Sequence, residues 1–357
     1  MKERSIFPSL SRRHLMQIGL GGAAMAVSGL AKPLIAQSKP SELLVAASGG
    51  DWGAILKKAY YDDYKSETGV QITPVPYKGL AELKALVEAK AWGQADVVCM
   101  ATGEAAMAEA QGLTEPLDYG LINKEDLIPG SYSDTWMMFS VSANTLAWNT
   151  DAVPADQAPN NWADFFNPER KVSRSLWKVA NGTYEIALLG AGVPLDKLYP
   201  LDLDKAFEVL NAVRDTIIWY EGGAQAQQQL VGGEADLAML WTNRADMLVT
   251  EGKPVKFISS GCIMDGDTFV IPKGHPNKVA AMDFARYMAG PEPQARLSNL
   301  NALGPTNLKA APLIKPEQFA KTPTHPSNLA TNRFQDFAWL AEHNGELNSS
   351  FTKWLLG

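Results

Sequence analysis

Three aspartates and two tryptophans in this chain have the types and positions to hold a cation. Asp51 and Trp52 follow a Gly-Gly pair, Asp265 and Asp267 stand two apart in Met264-Asp265-Gly266-Asp267, and Trp241 ends an apolar run. A carboxylate offsets the charge of an alkylammonium taken from water, while an indole face attracts the cation and covers its methylenes. Asp267 is the strongest of the three carboxylates, because it directly precedes the apolar run 268–272, where an unpaired charge is costly. Asp51 fits better as a helix cap, and Asp265 fits also as a turn residue. Trp52 also opens the apolar stripe of a helix.

Nucleophilic and metal chemistry have no comparable support. The chain holds no G-x-S-x-G, H-E-x-x-H or S-x-x-K signature in a suitable setting, and its four histidines (His14, His275, His325, His343) show no zinc-ligand spacing. This reads as a protein that is not an enzyme and has no metal and no cofactor. Cys99 and Cys262 lie in apolar runs, where cysteine behaves as a small buried hydrophobe, although an exported chain could also bridge them. The adjacent Tyr60 and Tyr61 could suggest a ferric ion, but Tyr60 follows a helical apolar stripe, so core packing is the better account.

The elements that must position these residues alternate. Strands are predicted over 42–47, 70–75 and 96–100, with helices carrying Trp52, Ile55, Leu56, Ala59, Tyr60 and Tyr64, then 80–91 and 103–111. A second set follows, with strands over 171–177, 216–220, 236–241 and 256–259 and helices over 183–189, 203–214, 224–231 and 244–251. A strand over 268–272, a helix over 277–288, a Pro/Thr-rich stretch and a last helix with Phe334, Phe337, Ala338 and Leu340 complete the chain. This β-α-β pattern implies parallel sheets in two doubly wound α/β lobes joined by a hinge with crossing strands. Ligands in such sheets bind beyond the carboxyl ends of the strands, which draws attention to the loops 48–52 and 101–103. Thr102 stands in the second of them. At the start of the helix 224–231, Gly222-Gly223-Ala224-Gln225 offers backbone N–H groups that could receive an anion, with Gln225 at the mouth.

The chain has 357 residues and a net charge of −7. Its acidity makes nucleic acid a poor partner. The first 36 residues read as an export signal of the twin-arginine type, with Arg12-Arg13 ahead of a glycine-rich apolar stretch and a cleavage point near Ala36. Gly19-Leu20-Gly21-Gly22-Ala23-Ala24 satisfies a dinucleotide fingerprint, but inside that signal it has no strand-turn-helix setting and carries no weight. The mature protein is therefore expected in the periplasm.

Several segments are similar to the periplasmic solute-binding proteins of ABC importers, in particular the spermidine/putrescine-binding type. Asn144-Thr145-Leu146-Ala147-Trp148-Asn149-Thr150-Asp151 resembles that family's inter-lobe crossing. The segment from Leu230 to Asn243 resembles its helix-strand unit ending in a ligand-facing Trp, here Trp241-Thr242-Asn243. Gly266-Asp267-Thr268-Phe269-Val270-Ile271-Pro272 resembles the return crossing that places an aspartate on a ligand amine. The resemblance implies a fold like that of type II periplasmic binding proteins. It divides the chain into lobe 1 (37–142 and 266–315), lobe 2 (143–265) and a helical tail (316–357). It also implies a monomeric receptor that captures a polyamine or related amine and delivers it to ABC permease subunits in the inner membrane. The implied ligand set is Asp51, Trp52, Thr102, Tyr184, Gln225, Trp241, Asn243, Asp265 and Asp267. Two departures stand out. The loop 101–103 lacks the family's aromatic ring, and in the second lobe the acidic amine contact is replaced by Ala180-Asn181-Gly182-Thr183-Tyr184, with Glu185 displaced. A zwitterion such as γ-aminobutyrate or an aminophosphonate is the alternative ligand, and an exported hydrolase a more distant one.

Overall fold

The computed structural model describes residues 40–357. The export signal, its Arg12-Arg13 pair, the cleavage point and the glycine fingerprint lie outside the described residues. Among the described residues, no helix is long and apolar enough to cross a membrane.

The strands are β1 (Glu42–Ala47), β2 (Gln71–Pro76), β3 (Val97–Ala101), β4 (Trp136–Asn149), β5 (Arg174–Trp177), β6 (Ile217–Tyr220), β7 (Leu237–Trp241), β8 (Val255–Phe257), β9 (Ile263–Val270) and β10 (Arg333–Phe334). They form one sheet in the order β2-β1-β3-β9-β4-β7-β5-β6, with β10 beside β9 and β8 beside β4. Within it, β2-β1-β3 is a parallel half and β7-β5-β6 another. The long antiparallel pair β9 and β4 joins them. The alternating sequence pattern is what builds each parallel half, since a right-handed helical crossover must return the chain to the same edge direction.

Each half has its own core. In the first half, Leu43, Val45, Ile72, Val97, Tyr60 and Phe284 fill one face of the sheet, and Leu83, Leu86, Val98, Met100 and Ala105 fill the other. Leu146, Leu176, Tyr184, Leu237 and Leu240 centre the core of the second. The final helix, Phe337–Leu356, touches both: Phe337 packs in the first half, and Leu340, Leu347 and Phe351 in the second.

Phe334 lies in β10 rather than in the last helix, and three further differences from the sequence reading bear on the site. First, β9 starts at Ile263 rather than 268, so Asp265 and Asp267 lie inside a strand, not in a turn before it. Second, β4 extends back to Trp136 and is buried along its whole length. Third, the helix that begins at Gly50 takes one π-turn over Lys57–Tyr61, which turns both Tyr60 and Tyr61 inward. Cys99 and Cys262 are free thiols, buried as expected of small hydrophobes and not bridged.

Candidate ligand-binding site

The site is built on the crossing pair. In the β4–β9 register, Ser140 stands opposite Asp267, Val141 opposite Gly266, Ser142 opposite Asp265, and Asn144 opposite Ile263. Side chains alternate across a sheet, so Ser140, Ser142 and Asn144 share one face with Asp265 and Asp267. An irregularity between Met138 and Ser140 re-aims the strand at this point. Gly266 is required between the two aspartates. A Cβ there would stand 2.1 Å from the Ser140 carbonyl oxygen, a separation no side chain tolerates.

Both carboxylates are partly open yet hemmed in by protein. Ser140 Oγ donates to Asp267 Oδ2 at 2.9 Å. The Asp265 carboxylate is eased by its own backbone N–H. Burial pushes Asp265 up to about 7, with the neighbouring Asp267 charge adding to the effect. Burial likewise raises Asp267 to about 6, and the Ser140 hydrogen bond acts against it. Two acids therefore sit side by side with no cation among the described residues to offset them, and a bound cation would relieve both causes of the shift.

Aromatic side chains flank the acids. Trp52 is half-buried and stacks on Phe139 of β4, ring centroids 6.4 Å apart and planes 16° apart. On the other side, Trp241 ends β7 opposite Asn144 and meets Trp177 edge-on at 4.9 Å, with Tyr220 at 6.4 Å. Asp265 lies near enough to Tyr220 for its charge to raise that phenol further, after burial. The helix Thr242–Thr250 follows directly from Trp241, and the Ala143 N–H donates to Thr242 Oγ1 at 3.3 Å. Asn243 and Arg244 are half-buried in its first turn.

The remaining expected residues fall elsewhere. Thr102 is buried beneath the site, where its hydroxyl donates to the Gly266 carbonyl at 2.8 Å and meets Thr268 Oγ1 at 2.6 Å. It ties the start of the helix Thr102–Ala110 to β9 and so positions the acids. Tyr184 is a correction to the expected ligand set. It is fully buried in the second core between Phe207 and Phe351, its hydroxyl donating to the Leu347 carbonyl. Glu185 beside it is saturated by the Gly182 N–H (2.7 Å), the Tyr199 hydroxyl (2.9 Å) and Gln335 Nε2 (2.7 Å), and its carboxyl is raised by burial. Asp51 is exposed in the first turn of its helix, and the cap position is Gly49 instead. Gln225 is exposed and accepts from the Glu221 N–H at 3.0 Å, a local turn contact.

Sequence reasoning missed Arg244, Ser142, Asn144 and Asn181. Arg244 Nε lies 3.2 Å from where a Cβ on Gly223 would stand, so the guanidinium sits against the start of the helix Gly223–Val231. Among the described residues no carboxylate pairs with it. A cation in the first turn of a helix opposes the helix dipole, and that mismatch was readable in Trp241-Thr242-Asn243-Arg244. Ser142 and Asn144 were readable as polar residues alternating along an otherwise apolar strand.

A two-lobed α/β sheet with polar groups gathered on its crossing strands is the architecture of a hinged receptor for small solutes. The chain belongs to the bacterial extracellular solute-binding protein family, whose model matches residues 59–327. It is 29% identical over 340 residues to the gamma-aminobutyric acid-binding protein of Pseudomonas aeruginosa, across 92% of this chain and 95% of that one. It is similar to the solved Atu4243-GABA receptor, 32% identical with a TM-score of 0.81, across 88% of this chain and 97% of that one. It is also 22% identical over 305 residues to the spermidine/putrescine-binding periplasmic protein 1 of Haemophilus influenzae, covering 80% and 82%. The protein is thus a solute-binding component of an ABC transporter that works outside the cytoplasm. Its relatives are binding proteins rather than enzymes. The likeness to the polyamine-binding type is weaker than that to the GABA-binding proteins.

Proposed function

We propose that the protein captures a small zwitterion of the γ-aminobutyrate class, holding the amine on Asp265 and Asp267 and the carboxylate on Arg244 at the start of the helix Gly223–Val231. One observation carries this reading: the site pairs two desolvated acids that have no cation with a cation that has no acid. Burial makes the two acids costly without a cation, and a zwitterion offsets them while giving Arg244 a carboxylate partner. Trp52 and Trp241 enclose the methylenes between, Asn243 lines the rim, and Thr102 acts through Gly266. The names of the two GABA-binding relatives support the same ligand class.

A polyamine fits less well, because it needs a second carboxylate at its far end. The Glu185 carboxylate is already filled by three donors, and Arg244 would repel a second ammonium. The lobes divide at the crossing strands, near 142–143 and 265–266, and closure around the ligand follows from contacts on both sides. Residues 1–36 direct export by the twin-arginine route, and the mature protein delivers its ligand as a monomer.

The test is a calorimetric titration of the Arg244→Ala and Asp267→Ala variants with γ-aminobutyrate and with putrescine. Asp267→Ala weakens γ-aminobutyrate binding by about 2–5 kcal/mol, the cost of breaking a desolvated charge pair. Arg244→Ala weakens γ-aminobutyrate but not putrescine. Unchanged γ-aminobutyrate affinity in both variants would refute the assignment.

A further inference from the structure

Three polar side chains of the crossing strand β4 and the loop beside it have a buried atom with no hydrogen-bond partner: Ser142 Oγ, Asn144 Oδ1 and Asn181 Oδ1. Native proteins leave few such atoms, and three together ask for an explanation. Ser142 stands directly across the strand pair from Asp265, and Asn144 is the next residue on the same face. Both are nine-tenths buried or more, at 7% and 2% exposed. The Asn144 carboxamide presses on Gly182, where a Cβ would come within 2.7 Å of its nitrogen. Asn181, one residue earlier in that loop, faces Gly103 from across the site, its Nδ2 4.0 Å from where a Cβ would be. Ser142 and Asn144 therefore stand on the strand face of the carboxylates, and Asn181 stands in the loop that Asn144 touches.

We propose that these groups make the site selective for a primary ammonium and exclude a quaternary one. The inference rests on the amine reading above and sharpens it. A primary ammonium carries three N–H donors, which the carboxylates, the two carboxamide oxygens and the Ser142 hydroxyl can accept. A quaternary ammonium has none, and each of its methyls would seal an acceptor away from water without replacing the bond. Proteins that take quaternary ammonium surround it with aromatic faces. Here the side chains that share the crossing-strand face with the acids are two hydroxyls and a carboxamide, Ser140, Ser142 and Asn144.

The experiment titrates the protein with γ-aminobutyrate and with putrescine, each paired with the analogue trimethylated at one terminal nitrogen. The trimethyl form of whichever parent binds is expected to bind at least about 100-fold more weakly, the equivalent of losing two charge-assisted hydrogen bonds. A trimethyl form within about threefold of its parent overturns the selectivity while leaving the amine reading intact. Absence of binding by both parents overturns the amine reading and the selectivity with it. The Asn181→Ala variant adds a second readout, since its loop position spares the sheet. It should weaken the parent roughly tenfold and leave the trimethyl form unchanged. Equal losses for both forms would contradict the proposal.

Discussion

At the scale of the residue, the account turns on two acids whose protonation couples binding to pH. A monoamine needs them ionised, so its affinity should rise with pH through the range of about 6 to 7 in which they titrate. A titration series from pH 5 to pH 8 reads this directly, and a flat profile would argue against these two as the amine contacts. The stability of the empty protein runs the opposite way. Each acid binds its proton more tightly folded than unfolded, where an aspartate titrates near about 4, so the contribution of the pair falls as pH rises from there toward 7. Asp265→Asn should therefore melt higher than the wild type at pH 8 and no higher at pH 4, while losing ligand. Equal melting differences at both pH values would contradict the burial argument. Asp267 was legible as a desolvated carboxylate, because a carboxylate beside an apolar run is costly wherever it lies. Tyr184 misled because nothing in its immediate neighbours reveals that a helix more than a hundred and fifty residues later covers it.

At the scale of the element, the crossing strands do the positioning. The parallel halves were readable, since alternating apolar runs and helical stripes mark β1 to β3 and β5 to β7 within a few residues. The crossing pair was harder. Ser140, Ser142, Asn144, Asp265 and Asp267 interrupt the hydrophobic pattern of β4 and β9, so these polar residues hid the strands that carry them. Gly266 holds the pair at close approach. Gly266→Ala should cost more than about 3 kcal/mol, the range of severe backbone clashes, and abolish binding, as read by denaturant unfolding and calorimetry. A well-folded, binding-competent Gly266→Ala would mean the strands can separate there without consequence.

At the scale of the whole molecule, the long C-terminal stretch is tied to the second half of the sheet by the packing of the final helix and by a charged contact. Lys321 reaches the buried Asp246 of the helix Thr242–Thr250 at 2.8 Å. That is the helix that carries Asn243 and Arg244. Lys321→Met leaves Asp246 uncompensated and should lower stability by about 1–3 kcal/mol, less than for a fully buried pair because Lys321 is partly exposed. Urea unfolding measures it, and no change would make the contact incidental. Two-lobed organisation was visible in the repeated α/β pattern, but which side chains meet across the site depends on long-range pairing that local sequence does not encode. A calorimetric titration of the wild-type protein at pH 8 with γ-aminobutyrate and, separately, putrescine decides between the two ligand classes. The account expects γ-aminobutyrate to bind at one site per chain and more tightly than putrescine. Binding of putrescine with silence from γ-aminobutyrate would contradict the pairing of Arg244 with a ligand carboxylate.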